Sequence, residues 1–256
     1  MIKKEASDYM PVEPKLASTV ILLRERTPDL ESDDDCEFEV FMAKRHENAR
    51  FMSEHYVFPG GSIDEQDSTK ESRARLVGID ENIISNLKEI CDDPSNLWII
   101  AIRELFEEVG ILIATNKSGN SFGKIENKPK KLKKYQKKLQ KNRITMTDVL
   151  TKENLYYSTS NLKYFGRFIT PELSPIRFDT QFFLCKFPHN QNINLFYDEL
   201  TEGLWGSPRQ LIKNFKKKQI KLIFPQYSTL KRLNKFKTVQ ELFENSKDIS
   251  SHNRLK

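Results

Sequence analysis

Three glutamates stand within five residues of one another, Glu104, Glu107 and Glu108, inside the segment Ile99–Ile111 that reads IIAIRELFEEVGI. On a helix turning about 100° per residue, positions i, i+3 and i+4 fall within one narrow arc of the surface. Like charges at i,i+4 destabilise a helix by a few tenths of a kcal/mol each. A divalent cation resolves that conflict, because hard ions take carboxylate oxygens, and magnesium combines a few of them with waters and substrate phosphates. An isolated triplet of this kind also suits a solvated acidic face, paired with Arg103 or with lysines elsewhere. Two further features favour the cation: Gly61 and Asp67, six residues apart, precede the helix, and Gly110 ends it ahead of an apolar run.

The elements that must carry these groups follow from periodicity. Ala17–Glu25 is β-branched and apolar and Phe38–Arg45 alternates, so both read as strands, with an acidic hairpin loop at Thr27–Glu37 between them. Tyr56–Pro59 reads as a short strand entering Gly60-Gly61, whose missing side chains permit a sharp turn or a close backbone approach. Ser68–Asp93 accommodates one or two helices. Ser95 is the expected N-cap of a helix from about Asn96 to Val109, with Gly110 as its stop. Ile111–Thr115, Leu162–Thr170, Arg177–Phe187 and Glu199–Trp205 read as strands. Helices are expected at Thr147–Leu155, at Pro208–Lys217 behind the Ser207-Pro208 start, and at Pro225–Leu233 and Val239–Asn245. Trp98 and Trp205 read as packing residues. Strands and helices interleave along the whole chain, which predicts one α/β unit over 1–256, with insertions at about 68–94 and 116–160 and C-terminal helices at about 208–246.

Composition narrows the class. The 256 residues are 38% hydrophobic and 30% charged, within the globular range and large enough for a core. No apolar run approaches the eighteen or so residues of a membrane helix, and Met1-Ile2-Lys3-Lys4-Glu5 leads into no secretory apolar region. Cys36, Cys91 and Cys185 are odd in number and far apart, which excludes a disulfide framework and a CxxC ribbon. The four histidines show no ligand spacing. The net charge of +6 comes from one place: Lys128–Arg143 holds nine basic residues and no acidic one, so the remainder is net acidic. Leu132, Tyr135 and Leu139 make a narrow apolar stripe on that helix. It reads as a lysine-rich surface helix or as an attractor of polyphosphates. Specific duplex recognition is the least favoured of the readings, since no zinc-finger spacing or basic-zipper heptad accompanies the patch.

The segment Arg103-Glu104-Leu105-Phe106-Glu107-Glu108-Val109-Gly110-Ile111 resembles the second half of the Nudix hydrolase signature, G-x5-E-x7-R-E-U-x-E-E-x-G-U with U aliphatic, and Gly61 stands where that signature opens. Asp67 takes the place of its first glutamate, and 35 residues separate Asp67 from Arg103 where the family has seven. That insertion, together with Phe51-Met52, Tyr56–Asp64, Gly166–Pro171, Arg177–Leu184, Glu199–Pro208 and Pro225-Gln226, is similar to the acyl-coenzyme A diphosphatase branch of the Nudix-motif-19 type. The resemblance implies a Nudix α/β/α sandwich with a mixed sheet, a helical insertion inside the Nudix box and a second, lysine-rich insertion.

The same resemblance implies Mg2+ or Mn2+ held by Glu104, Glu107, Glu108 and the backbone carbonyl near Gly61. One glutamate, or Glu199 as an additional carboxylate, would activate water. Arg103 would brace the loop through Asp67, with Asp64 as the alternative partner. Arg45 is a candidate for substrate phosphate or a solvated strand-end arginine. Arg177 is a candidate for substrate or for an ion pair with Asp179. Phe58 is a candidate for stacking on a base or a core residue. The expected reaction is hydrolysis of a nucleoside-linked diphosphate: coenzyme A or acyl-coenzyme A to a 4′-phosphopantetheine product and adenosine 3′,5′-bisphosphate. Alternatives are ADP-ribose, nucleotide sugars or dinucleotides, and a nucleotide-binding module without catalysis. Phe41–Ala49 does not match the L-L-T-x-R-S-x-x-L motif of another coenzyme A-cleaving Nudix group. Expected partners are small molecules, with a homodimer possible and no specific nucleic acid or membrane span. The ending Asn253-Arg254-Leu255-Lys256 is not the Ser-Lys-Leu peroxisomal address, so the expected compartment is cytoplasmic.

Overall fold

The computed structural model describes residues 12–27, 34–49, 51–119 and 128–250; most of the expected loop at Thr27–Glu37 and part of the 116–160 segment lie outside them. The central sheet is built on β1 (Lys15–Glu25). Its run Val20–Leu23 is buried on both faces, as the middle strand of a covered sheet requires. β2 (Phe38–Arg45) lies on one side of β1 and β9 (Phe178–Lys186) on the other. The order continues to β10 (Leu200–Gly206) beyond β2 and β8 (Leu162–Ile169) beyond β9. Among the described strands of this sheet, β1 and β9 pair in parallel and the others antiparallel, so the sheet is mixed. β1 and β2 part toward one end, where β3 (Tyr56–Val57) pairs with β2 and β4 (Gly60–Ser62) pairs with β1.

Even-numbered positions of β1 (Val20, Leu22) pack with α3 (Asn96–Val109), and odd ones (Ile21, Leu23) pack with α6 (Pro208–Lys216), α7 (Phe224–Leu233) and α8 (Val239–Ser250). Helices thus cover both faces of one sheet. A 3-10 turn (Glu65–Ser68), α1 (Lys70–Arg73), β5 (Leu76–Val77) and α2 (Glu81–Leu87) fill the segment between Asp67 and α3. β6 (Ala114–Thr115), α4 (Pro129–Leu139), α5 (Met146–Glu153) and β7 (Tyr156–Ser158) follow α3, and β5-β7-β6 form a small second sheet. Among the described residues, no helix is long and apolar enough to cross a membrane.

Several local expectations change. Gly60-Gly61 is strand, not turn: a Cβ on Gly60 would collide with Ser18 backbone and one on Gly61 with the Glu104 carboxylate. Close approach is therefore what the glycines supply. Ser95 does not cap α3, because its hydroxyl bonds Asp93 instead. Gly110 does end the helix in the left-handed region, at φ 75°. Ile111–Ile113 are buried but not paired, leaving only Ala114–Thr115 as strand. On α4 the buried stripe is Leu132, Gln136 and Leu139; Tyr135 turns aside to bond Glu153.

Candidate active site

Fourteen residues of α3 run beneath β1 and β4, and twelve of them are buried. This apolar anchoring gives the helix no rotational freedom, so its polar residues must emerge along the strip next to β4. Glu108 is 4% exposed, and its carboxylate accepts the Gly60 amide at 2.9 Å. The Glu104 carboxylate fills the space that a Gly61 side chain would need. The Glu107 carboxylate, 20% exposed, lies 3.2 Å from Arg103.

Arg103 binds these pieces together. Its Nε and Nη2 donate to Asp67 at 2.7 and 2.8 Å, Nη2 also donates to the Ser62 carbonyl, and Nη1 donates to Glu104 at 2.8 Å. Asp67 is fully buried and also accepts the Asp64 amide, so the 3-10 turn delivers the shorter carboxylate to the guanidinium. Asp64 itself caps that turn through Gln66 and is not the alternative brace. Burial disfavours the Arg103 charge, but Glu104, Asp67 and Glu107 outweigh it and hold the guanidinium protonated.

The carboxylates are raised too, which in their case favours the neutral form. Burial raises Glu104 to about 7 against the pull of Arg103, with Glu107 adding repulsion. Burial also raises Glu108 well above the ordinary range, with Glu104 and Glu199 repelling and the Gly60 amide and Arg45 opposing. Burial raises Glu107 too. Glu199 is exposed just ahead of β10, close enough for its charge to act on both Glu107 and Glu108. Arg45, at the end of β2, acts on Glu108, and its Nε is buried without a hydrogen-bond partner.

A divalent ion fits this chemistry: the donors are oxygens buried together, and burial disfavours their charged forms even with Arg103 beside Glu104. Among the described residues no three acidic, His or Cys side chains converge closely enough to form a coordination cluster. Arg103 draws Glu104 and Glu107 toward itself, and the Gly60 amide draws Glu108. The ladder also relocates the backbone donor. Ile63 bonds Leu16 and Val20 bonds Pro59, so the intervening Ser18–Gly61 pair spends its amides and carbonyls on the ladder. Gly60, not Gly61, turns its backbone groups toward the glutamates.

Two other expectations are corrected. Phe58 is 2% exposed in the core cluster with Ile21 and Phe182, so it presents no ring face to a ligand. Arg177 does not pair with Asp179; it donates to the Thr170 and Val12 carbonyls, while Arg167 takes Asp179 in a bidentate pair. Sequence reasoning also missed the clamp on the C-terminal end of α3. Gln136 and Gln140 donate to the Glu107 carbonyl, Phe196 donates to the Glu108 carbonyl, and Asn194 donates to that of Val109. The one local signal was Gln136 on the same helical stripe as Leu132 and Leu139.

Residues 82–233 match the model of the NUDT19 Nudix domain. The chain is 26% identical to the acyl-coenzyme A diphosphatase NUDT19 of Xenopus laevis, over 83% of its own length and 64% of that protein's. The corresponding protein of Gallus gallus is 25% identical, over 83% of this chain and 65% of its own length. This chain therefore spans less than two thirds of the relatives it matches. A crystal structure of a NUDIX hydrolase from Alicyclobacillus acidocaldarius shares the fold, with a TM-score of 0.71 at 24% identity over 95% of this chain and 98% of that one. With well over half of its residues inside the family match, the chain belongs to the Nudix family, in the NUDT19 Nudix domain branch.

Proposed function

We propose that this chain is a divalent-metal-dependent diphosphatase acting on a nucleoside-linked diphosphate, with coenzyme A or acyl-coenzyme A as the substrate. The observation that carries the reading is the pair Glu104 and Glu108, buried beside Gly60 and raised together in pKa. Two burdened carboxylates are a stability cost unless a cation uses them. The NUDT19 relatives named as acyl-coenzyme A diphosphatases supply the substrate class.

Glu104, Glu108 and the Gly60 carbonyl would hold Mg2+ or Mn2+, with Glu107 completing the set. When bound, such an ion neutralises diphosphate oxygens and acidifies the attacking water. Arg103 keeps Glu104 and Glu107 at fixed positions through the Asp67 brace. Glu107 and Glu199, the more exposed carboxylates, would take the proton from water. Arg45, whose charge acts on Glu108, would meet a phosphate oxygen of the substrate. The products are a 4′-phosphopantetheine species and adenosine 3′,5′-bisphosphate.

The test is product release from coenzyme A, ADP-ribose and NADH, each with Mg2+ or Mn2+. The reading expects cleavage of coenzyme A ahead of the other two. Faster turnover of ADP-ribose would reassign the substrate, and inertness on all three would leave a nucleotide-binding module.

A further inference from the structure

β1 carries a serine where its neighbours on the same face are apolar. Leu16 and Val20 pack into the cluster that holds α3, and Ser18, midway between them, turns its side chain to that face. Ser18 is fully buried, and its Oγ has no hydrogen-bond partner among the described residues. Alanine would pack there as well, so an orphaned hydroxyl is a cost unless an acceptor comes to it.

Strand register sets what stands beside it. Ser18 pairs with Gln181 of β9 on one side and with Gly61 of β4 on the other. The Gln181 side chain is engaged, its Oε1 accepting the Tyr164 hydroxyl and its Nε2 donating to Asp179. On the other side the strand offers no side chain, and the Glu104 carboxylate occupies the place where a Gly61 Cβ would stand. Residues directly opposite on antiparallel strands hold their Cβ atoms about 5 Å apart on one face. The Ser18 hydroxyl lies one bond beyond its Cβ, and rotation about χ1 alone carries it between staggered positions. Glu104 is therefore the charged acceptor within its reach.

A carboxylate that ligates a cation needs a donor behind it to fix its orientation. Arg103 donates to the Glu104 Oε1, but the same guanidinium also serves Asp67, Glu107 and the Ser62 carbonyl. A hydroxyl differs from it in kind, because it orients the carboxylate without cancelling the charge that attracts the cation.

We propose that Ser18 is a positioning residue of the carboxylate site, its hydroxyl donating to Glu104 and holding that carboxylate ready for a divalent cation. The proposal rests on the diphosphatase reading for the cation itself, so its test reads binding and stability rather than turnover. Mn2+ alone is titrated into the full chain, with the free ion followed by electron paramagnetic resonance, and thermal midpoints are measured separately with EDTA. Ser18→Ala weakens Mn2+ binding about tenfold, the scale of a lost partner behind a metal ligand. With EDTA its midpoint stays at or above that of the wild type, since the change removes an unpaired buried hydroxyl and leaves none behind. A serine with a purely structural task would give the opposite pair, a lower midpoint and an unchanged affinity. Unchanged Mn2+ affinity or a lower midpoint in Ser18→Ala overturns the proposal and leaves the diphosphatase reading standing. No Mn2+ uptake by the wild type, or equal uptake by Glu104→Gln, overturns both.

Discussion

Helices α3 and α4 touch each other and carry opposite excesses of charge, yet they put them to different use. On α3 the acids emerge from a buried helix, Glu108 4% exposed and the Glu104 side chain 14%. Every one of them is tied to a named partner: Arg103, the Gly60 amide, or the clamp on the helix end. On α4 the buried stripe Leu132–Gln136–Leu139 faces α3, and Lys130, Lys133, Lys134, Lys137, Lys138 and Lys141 line the outward side with Arg143. Charge density does not single out the site, since α4 carries six lysines in eleven residues and α3 three glutamates and one arginine in fourteen. What distinguishes them is the medium: a pair at a few ångströms interacts several times more strongly where water is excluded than at a solvated surface. The candidate site is thus marked by charge whose freedom and solvent have both been removed.

That contrast breaks first at the acids. Glu108→Gln and Glu104→Gln keep side-chain volume and remove the charge, and each is expected to lower turnover of coenzyme A about a thousandfold or more with the fold retained by circular dichroism. Near-wild-type turnover in both would make the buried acids structural and end the hydrolase reading.

Next comes the brace. Arg103 and Asp67 are both almost fully buried, so Asp67→Ala leaves a guanidinium without its bidentate partner. Loss of about 3 kcal/mol in unfolding free energy is expected by urea titration. A change below about 1 kcal/mol, the scale of a surface pair, would place the brace in the α4 class of solvated charge.

The sequence exposed α3 and hid what aligns it. Glu104, Glu107, Glu108 and Gly110 are contiguous, and a helix converts contiguity directly into a face. Asp67 could be named as a partner only through a family pattern, since 35 intervening residues form α1, β5 and α2 between it and Arg103. The choice of Gly60 over Gly61 depends on ladder register, which one residue of slip reverses. Phe58 and Arg177 were ambiguous for another reason: an aromatic or cationic side chain at a strand end has two faces of the sheet available, and only packing against distant helices selects one. The small sheet β5-β7-β6 was invisible because its strands are two or three residues long.

A pH experiment sharpens the contrast further. Glu104 titrates near 4.5 when unfolded and at about 7 when folded, so between those values the native state holds more protons. Stability of the metal-free chain therefore falls as pH rises from about 4.5 through about 7, the reverse of a carboxylate whose ion pair outweighs its burial. Thermal midpoints measured with EDTA at pH 5 and pH 8 should be higher at pH 5, and Glu104→Gln should flatten the difference. Addition of Mg2+ or Mn2+ at pH 8 should restore what was lost. A metal-free chain more stable at pH 8 would show that Arg103 overrides burial.

The smallest effect belongs to α4. Replacing Lys133, Lys134, Lys137 and Lys138 by Gln strips charge from the side of the helix turned away from α3. Coenzyme A carries a 3′-phosphate that dephospho-coenzyme A lacks, so a direct contact would raise KM for the first alone. The outward placement instead favours long-range steering, which at 0.15 M salt decays over about 8 Å. KM should rise less than about threefold and equally for both substrates, with the effect growing as salt is lowered. A selective rise for coenzyme A would bring the lysine helix into the site and show that exposed charge can do locally what the buried acids do.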